Sequence, residues 1–243
     1  MAILETHGAL LGGRVRYAQP ATGFRSGIEP VLLAAAVPAR PGQRVLEAGT
    51  GAGAGLLCLA ARVPQLVCLG VERDPDLASI AGANAAANRF GDVLFVAADI
   101  AALPFSGAFD HAFANPPYHP PDSSPSPLPE RDAAKRAGPN LLKLWTSILG
   151  KRLRTKGTLT LILPAPRLPE CLDALSRAGL GSIAAFPLWP KAGREAGLML
   201  IQGIKGGRGR FSLRPGMVLH EPEGRFSAQA EAVLRHGALL NLM

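Results

Sequence analysis

Strand-length apolar runs alternating with helix-length segments constrain this chain more than any other feature. "RVLEAG" (44–49), "LVCLGVE" (66–72), "VLFVAAD" (93–99) and "FDHAFAN" (109–115) each read as a strand buried on both faces. A helix that follows the Gly-rich turn and runs through about Arg62, and "DPDLASIAGANAAANRF" (74–90), read as the helices between them, the latter with Pro75 in its first turn. Further on come a helix at 140–154, a strand "GTLTLILP" (157–164), a helix at 168–179 ended by Gly179, and closing strands at 182–189 and 196–205. This order predicts an α/β fold, doubly wound around a mostly parallel seven-stranded sheet. The expected organisation is an N-terminal extension over residues 1–40 and one domain over 41–243. The Pro/Ser-rich stretch between Pro116 and Pro139 is too long for a simple connection and reads as a lid or an unstructured loop.

Composition narrows the function classes. With 48% hydrophobic and 18% charged residues the chain can build a sizeable core. No apolar run reaches the length of a membrane span, and Glu5 and His7 stand where a signal peptide needs cations and then apolar residues, so a soluble cytoplasmic protein is expected. Cys58, Cys68 and Cys171 form no CxxC pair and have no histidine cluster nearby, which predicts core thiols and no metal site. The net charge of +8 is uneven: from Arg131 to Arg214 there are 16 Lys and Arg against four acids. Such a basic half suits a polyanion partner or a solvated surface. Arg131, Lys135, Arg136, Lys205, Arg208 and Arg210 are the candidate phosphate contacts. Nothing in the chain calls for an obligate protein partner.

The chemistry is expected at the carboxyl ends of the strands, where open α/β sheets bind ligands. "EAGTGAGAG" (47–55) follows the first strand and opens a helix, and Gly49, Gly51 and Gly53 permit a tight turn with close ligand approach. The glycines alone also fit a dinucleotide fingerprint, which leaves a nicotinamide-dependent oxidoreductase as an alternative. Glu47 discriminates, because a carboxylate there repels a pyrophosphate but suits the ammonium of a methionine moiety. That points to S-adenosylmethionine as cofactor. Glu72 closes the second strand and can accept both ribose hydroxyls, or merely precede a helix that Asp74 caps. Asp99 closes the third strand and can reach the adenine amine of the cofactor, or serve as an ordinary cap.

The fourth strand stops on "NPPY" (115–118). This resembles the motif of S-adenosylmethionine-dependent amino-group methyltransferases, which act on adenine N6, guanine N2 or glutamine amides. The resemblance implies that Asn115 and Pro116 each accept one N–H of a poorly nucleophilic amine, that Pro117 helps to fix them, and that Tyr118 stacks on a planar substrate. Asn115 borders the cofactor as well. "QPATGFRSGIEPVLLAAAVP" (19–38) and the terminal "LLNLM" extend the likeness to the bacterial tRNA(Val) adenine N6-methyltransferase family over roughly residues 10–243. That likeness implies a Rossmann-like methyltransferase fold, a turn at Gly27 covering the cofactor, and a tRNA substrate. The alternatives are a protein glutamine amide of release-factor type as acceptor and a non-catalytic RNA-binding module. His111 is expected to be a satisfied strand residue, and Trp145 and Trp189 packing anchors.

Overall fold

The computed structural model describes residues 4–22, 26–102, 108–117 and 140–243. Tyr118, Arg131, Lys135, Arg136 and the Pro/Ser-rich stretch lie outside the described residues.

The seven expected strands are β3 (Arg44–Ala48), β4 (Val67–Glu72), β5 (Val93–Ala97), β6 (Phe109–Ala114), β7 (Leu153–Pro164), β8 (Leu180–Lys191) and β9 (Leu198–Lys205). Among the described residues the sheet holds nine strands, because β10 (Ser212–Leu213) and β11 (Met217–His220) add to its edge. Both pair in turn with β8, at Ala184–Ala185 and at Leu188–Lys191. At two and four residues they are too short to carry a period of their own. The order is β10-β8-β9-β7-β6-β3-β4-β5, with β11 also on β8. β9 is antiparallel to both neighbours, and the other pairings in this sheet are parallel. Ahead of the sheet, β1 (Glu5–Leu10) and β2 (Val15–Pro20) form a separate antiparallel hairpin.

Helices cover both faces, as a mostly parallel sheet requires. One face carries α1 (Glu29–Ala36), α2 (Ala54–Arg62), α3 (Pro75–Ala87) and α6 (Ala228–His236), packed on Val45, Cys68, Phe113 and Leu200. The other carries α4 (Leu141–Arg152) and α5 (Leu168–Arg177), packed on Leu46, Ala112, Leu161 and Ile201. Alternation along each strand separates the two sets: Val45 faces one core and Leu46 the other. Local signals set the helix ends. The Asp74 carboxylate accepts the N–H groups of Asp76 and Leu77 ahead of α3, and Gly237 (φ 68°) stops α6.

All six residues of β6 are buried, so its polar members need internal partners. Asp110 accepts the Arg44 N–H at 2.8 Å and pairs with Arg154 at 2.6 Å. The His111 ring bonds Thr158 and Gln43 at 2.8 and 2.9 Å, and burial lowers its pKa to about 4. A neutral imidazole bridging two strands, remote from the cleft described below, is a structural group. Cys58, Cys68 and Cys171 are buried thiols, each pushed up to about 12 by burial. Among the described residues no helix is long and apolar enough to cross a membrane.

Candidate active site

β3 and β6 are parallel neighbours, and the cleft forms at their carboxyl ends. The cleft spans about 500 Å³ of space, open solvent included, and Glu47, Gly49, Gly51 and Asn115 lie on its walls.

The Gly-rich turn is a set of left-handed residues with different duties. Gly49 (φ 64°) and Thr50 both donate N–H to the Val71 carbonyl, which folds the chain back over β4. A Cβ on Gly49 would stand 2.6 Å from the Trp145 ring, so α4 closes on the turn only because that residue has no side chain. Gly51 (φ 55°) has nothing within 4 Å of its absent Cβ and faces the open cleft. Gly53 (φ 91°) has packing neighbours instead of open space. It is buried, with its Cβ position 2.8 Å from Phe95 and 3.2 Å from Ala81, and packs the turn onto β5 and α3 without bordering the cleft.

Glu47 is only 4% exposed. Strand alternation points it to the α2 face, and Gly55 supplies the room, since a Cβ there would collide with Glu47 Oε1. Glu47 Oε2 accepts the Thr50 hydroxyl at 2.6 Å and the Leu56 N–H at 3.1 Å, one of the free donors that begin α2. Burial outweighs these bonds and, with the nearby Glu72 charge, raises the Glu47 pKa to about 8.

The other acids are bonded to backbone N–H groups at the strand ends. Glu72 accepts Gly51 N–H at 2.9 Å and Asp74 N–H at 3.0 Å, so it braces the Gly51 turn that lines the cleft. Each of its oxygens keeps a second lone pair. Asp99 is exposed, accepts the Ala101 N–H at 2.8 Å, and stands off the cleft lining. Gly27 is exposed beside the Glu29 carboxylate, while its neighbours Ser26 and Pro30 reach the cleft.

Asn115 follows β6 directly and faces the cleft; Pro116 is buried behind it and Pro117 half-buried. Lys205 donates to the Ala178 carbonyl at 2.9 Å, and Arg208 and Arg210 are exposed in the turn beyond. The antiparallel run of β9 places that turn at the amino ends of the parallel strands, so these three cations do not adjoin Asn115.

Residues unmarked in the sequence complete the wall. Tyr17, Gln19 and Ser26 line the cleft, with the Tyr17 and Ser26 hydroxyls 2.8 Å apart and Gln19 Oε1 accepting the Ser26 N–H at 3.0 Å. Asn84 of α3 and Asn88, which caps its C-terminal end, hold β2 there. Asn84 accepts the Ala18 N–H and donates to the Ala18 and Ala52 carbonyls, while Asn88 accepts the Arg16 N–H and donates to the Arg16 carbonyl. The two amides act as a surrogate neighbouring strand and tie β2 to the Gly-rich turn. The one available sequence signal is their i, i+4 spacing among alanines.

Residues 45–128 match a family described as a methyltransferase domain. A crystal structure of a predicted O-methyltransferase from Agrobacterium tumefaciens, 22% identical, shares the fold with a TM-score of 0.73 over 87% of this chain and 98% of that one. The chain thus shares the Rossmann-like α/β fold of that structure, and about a third of it resembles a methyltransferase domain. In sequence it is similar to proteins named tRNA1(Val) (adenine(37)-N6)-methyltransferase. The one from Porphyromonas gingivalis is 33% identical over 162 residues, and the alignment spans 63% of each chain. The one from Aeromonas hydrophila is 28% identical over 84% of this chain and 86% of its own.

Proposed function

We propose that this chain transfers a methyl group from S-adenosylmethionine to the exocyclic amine of a nucleobase, adenine N6 in tRNA, in the cytoplasm. The observation that carries the reading is the position of Asn115. An amide followed by two prolines stands on the wall of a cleft whose other walls are the buried Glu47 carboxyl and the open turn at Gly51. Both features fit the cofactor: Gly51 leaves room for backbone approach, and an acid with a raised pKa gains most from an ammonium partner. When bound, the cofactor supplies an electrophilic methyl group on a sulfonium.

The chain's own residues do the rest. Glu47 holds the ammonium end, Gly49 and Gly51 admit the nucleoside portion, and Glu72 and Asp99 offer their remaining lone pairs to ribose and adenine. Asn115 Oδ1 and the Pro116 carbonyl each accept one N–H of the substrate amine, which aims the nitrogen lone pair along the axis of displacement. Pro116 and Pro117 fix φ, so the two acceptors are ordered before the substrate arrives. No strong base is needed, because the amine becomes acidic only once it carries the new methyl. Tyr118 stacks on the base, and Arg131, Lys135 and Arg136 contact phosphates. Residues 1–40 cover the cofactor, a role that Tyr17, Gln19 and Ser26 on the cleft wall support.

The test is incubation with labelled methyl donor and total tRNA, followed by digestion to nucleosides. Label in N6-methyladenosine supports the reading. Label confined to a methylated guanosine, or to a release factor supplied in parallel, overturns it.

A further inference from the structure

The two ends of the sheet differ in charge. From Asn115 down to the start of β6 is about 20 Å at ~3.3 Å per residue. At that lower end, Gly206 N–H donates to the Gly179 carbonyl at 2.9 Å, and Lys205 donates to the adjoining Ala178 carbonyl. A Cβ on Gly150, near the end of α4, would stand 3.2 Å from the same Ala178 oxygen, and one on Gly206 would stand 4.0 Å from Thr155. The end of α4, the first residues of β7 and the turn after β9 therefore form one continuous edge. Lys151, Arg154, Lys156, Arg208 and Arg210 are exposed along it. The acid beneath them, Asp110, is buried and paired with Arg154.

This edge is connected to the cleft. α4 starts at the cleft end, where Trp145 covers Gly49, and runs down to Lys151. Its exposed Lys143 lies about 12 Å along the helix from Lys151. Asp173 of α5 faces Lys143 but is paired with Arg177.

We propose that Lys143, Lys151, Lys156, Arg208 and Arg210 form a track for the phosphate backbone of a structured RNA whose target base enters the cleft; this rests on the reading above that the substrate is RNA. The track turns from the side of the molecule onto its lower end. A flat anionic membrane cannot touch both surfaces at once, whereas a folded nucleic acid can. Neutralised phosphates release counterions, so each contact adds to the salt dependence of binding.

The test is binding of a fluorescent tRNA pool to the full chain across a salt series, without methyl donor. The track variant carries K151Q, K156N, R208Q and R210Q; asparagine is chosen at 156 because φ there is 67°. A control variant loses the same charge elsewhere, through R16Q, R89N, R225Q and R235Q. The track variant is expected to bind about tenfold more weakly or worse at low salt, with a log–log salt slope shallower by about three to four, while the control stays near wild type. Equal weakening of both variants, an unchanged track variant, no salt-dependent RNA binding by the wild type, or displacement of RNA by anionic vesicles would each overturn the track. Unfolding midpoints show that the variants fold, and the K151Q/K156N pair, expected to lower the slope by about two, replaces the track variant if it does not. If RNA binds along the track but no methyl group is transferred, the proposed chemistry fails and the track stands.

Discussion

Glu47 offers the sharpest test of how the cofactor end of the cleft works. Its pKa is raised from the usual carboxylate range to about 8, chiefly by burial. At pH 6.5 the empty protein therefore holds this side chain as a neutral acid. Ionising it there costs about 2 kcal/mol, one and a half decades at ~1.4 kcal/mol each. An ammonium placed against it in the buried cleft reverses the preference. Cofactor binding at pH 6.5, where the cofactor amine is still charged, should therefore release close to one proton. Affinity should fall about 30-fold below its value for a pre-ionised carboxylate. Calorimetric titration in buffers of different ionisation enthalpy counts the proton directly, and Glu47→Gln should release none. The same group acts on stability. Because the folded pKa is the higher one, its contribution is fully present below the unfolded value of about 4.5 and is lost as pH rises through about 8. Tight cofactor binding with no proton release by the wild type at pH 6.5 would refute this account of Glu47.

Other outcomes follow from the same geometry. Asn84→Ala removes three buried hydrogen bonds between α3, β2 and the Gly-rich turn. It should weaken cofactor binding roughly tenfold and raise the cofactor KM while kcat at saturation is kept, and a drop in kcat alone would contradict the clamp. Gly51→Ala and Gly53→Ala should fail in opposite ways. The first meets open space and should lose about 1 kcal/mol of stability together with cofactor affinity; the second drives a methyl onto Phe95 and should lose considerably more stability. Denaturant unfolding beside cofactor titration separates the two. His111 titrates in the fold near 4, below its usual range, so its contribution to stability is lost as pH falls from about 6.5 through 4. His111→Gln should flatten that part of the stability profile, and an unchanged profile would show that the group carries no such linkage.

Much of this molecule was legible before its structure. β3 to β6 could be read because a strand buried on both faces is a continuous apolar run, and α3 because Asp74 and Pro75 mark its start. Asn115 could be placed on a strand end because its prolines cannot continue a ladder. What stayed hidden depended on contacts distant in sequence. Gly51 and Gly53 look alike in a Gly-rich run, and only Phe95 and Ala81 show that one is for packing and the other faces the cleft. The edge strands β10 and β11 exist because β8 offers them a partner. Tyr17 and Gln19 reach the cleft through amides some seventy residues away. The position of Arg208 and Arg210 at the far end of the sheet follows from the antiparallel run of β9, a direction that residue pattern alone does not reveal.

The central claim is that Asn115 orients an amine and does not hold the cofactor's place in the fold. Its most direct test compares equilibrium cofactor affinity with single-turnover methyl transfer in Asn115→Ala. The account predicts affinity within about twofold of wild type and transfer slowed by about a hundredfold or more. Parallel loss of both, or transfer at an undiminished rate, would contradict it.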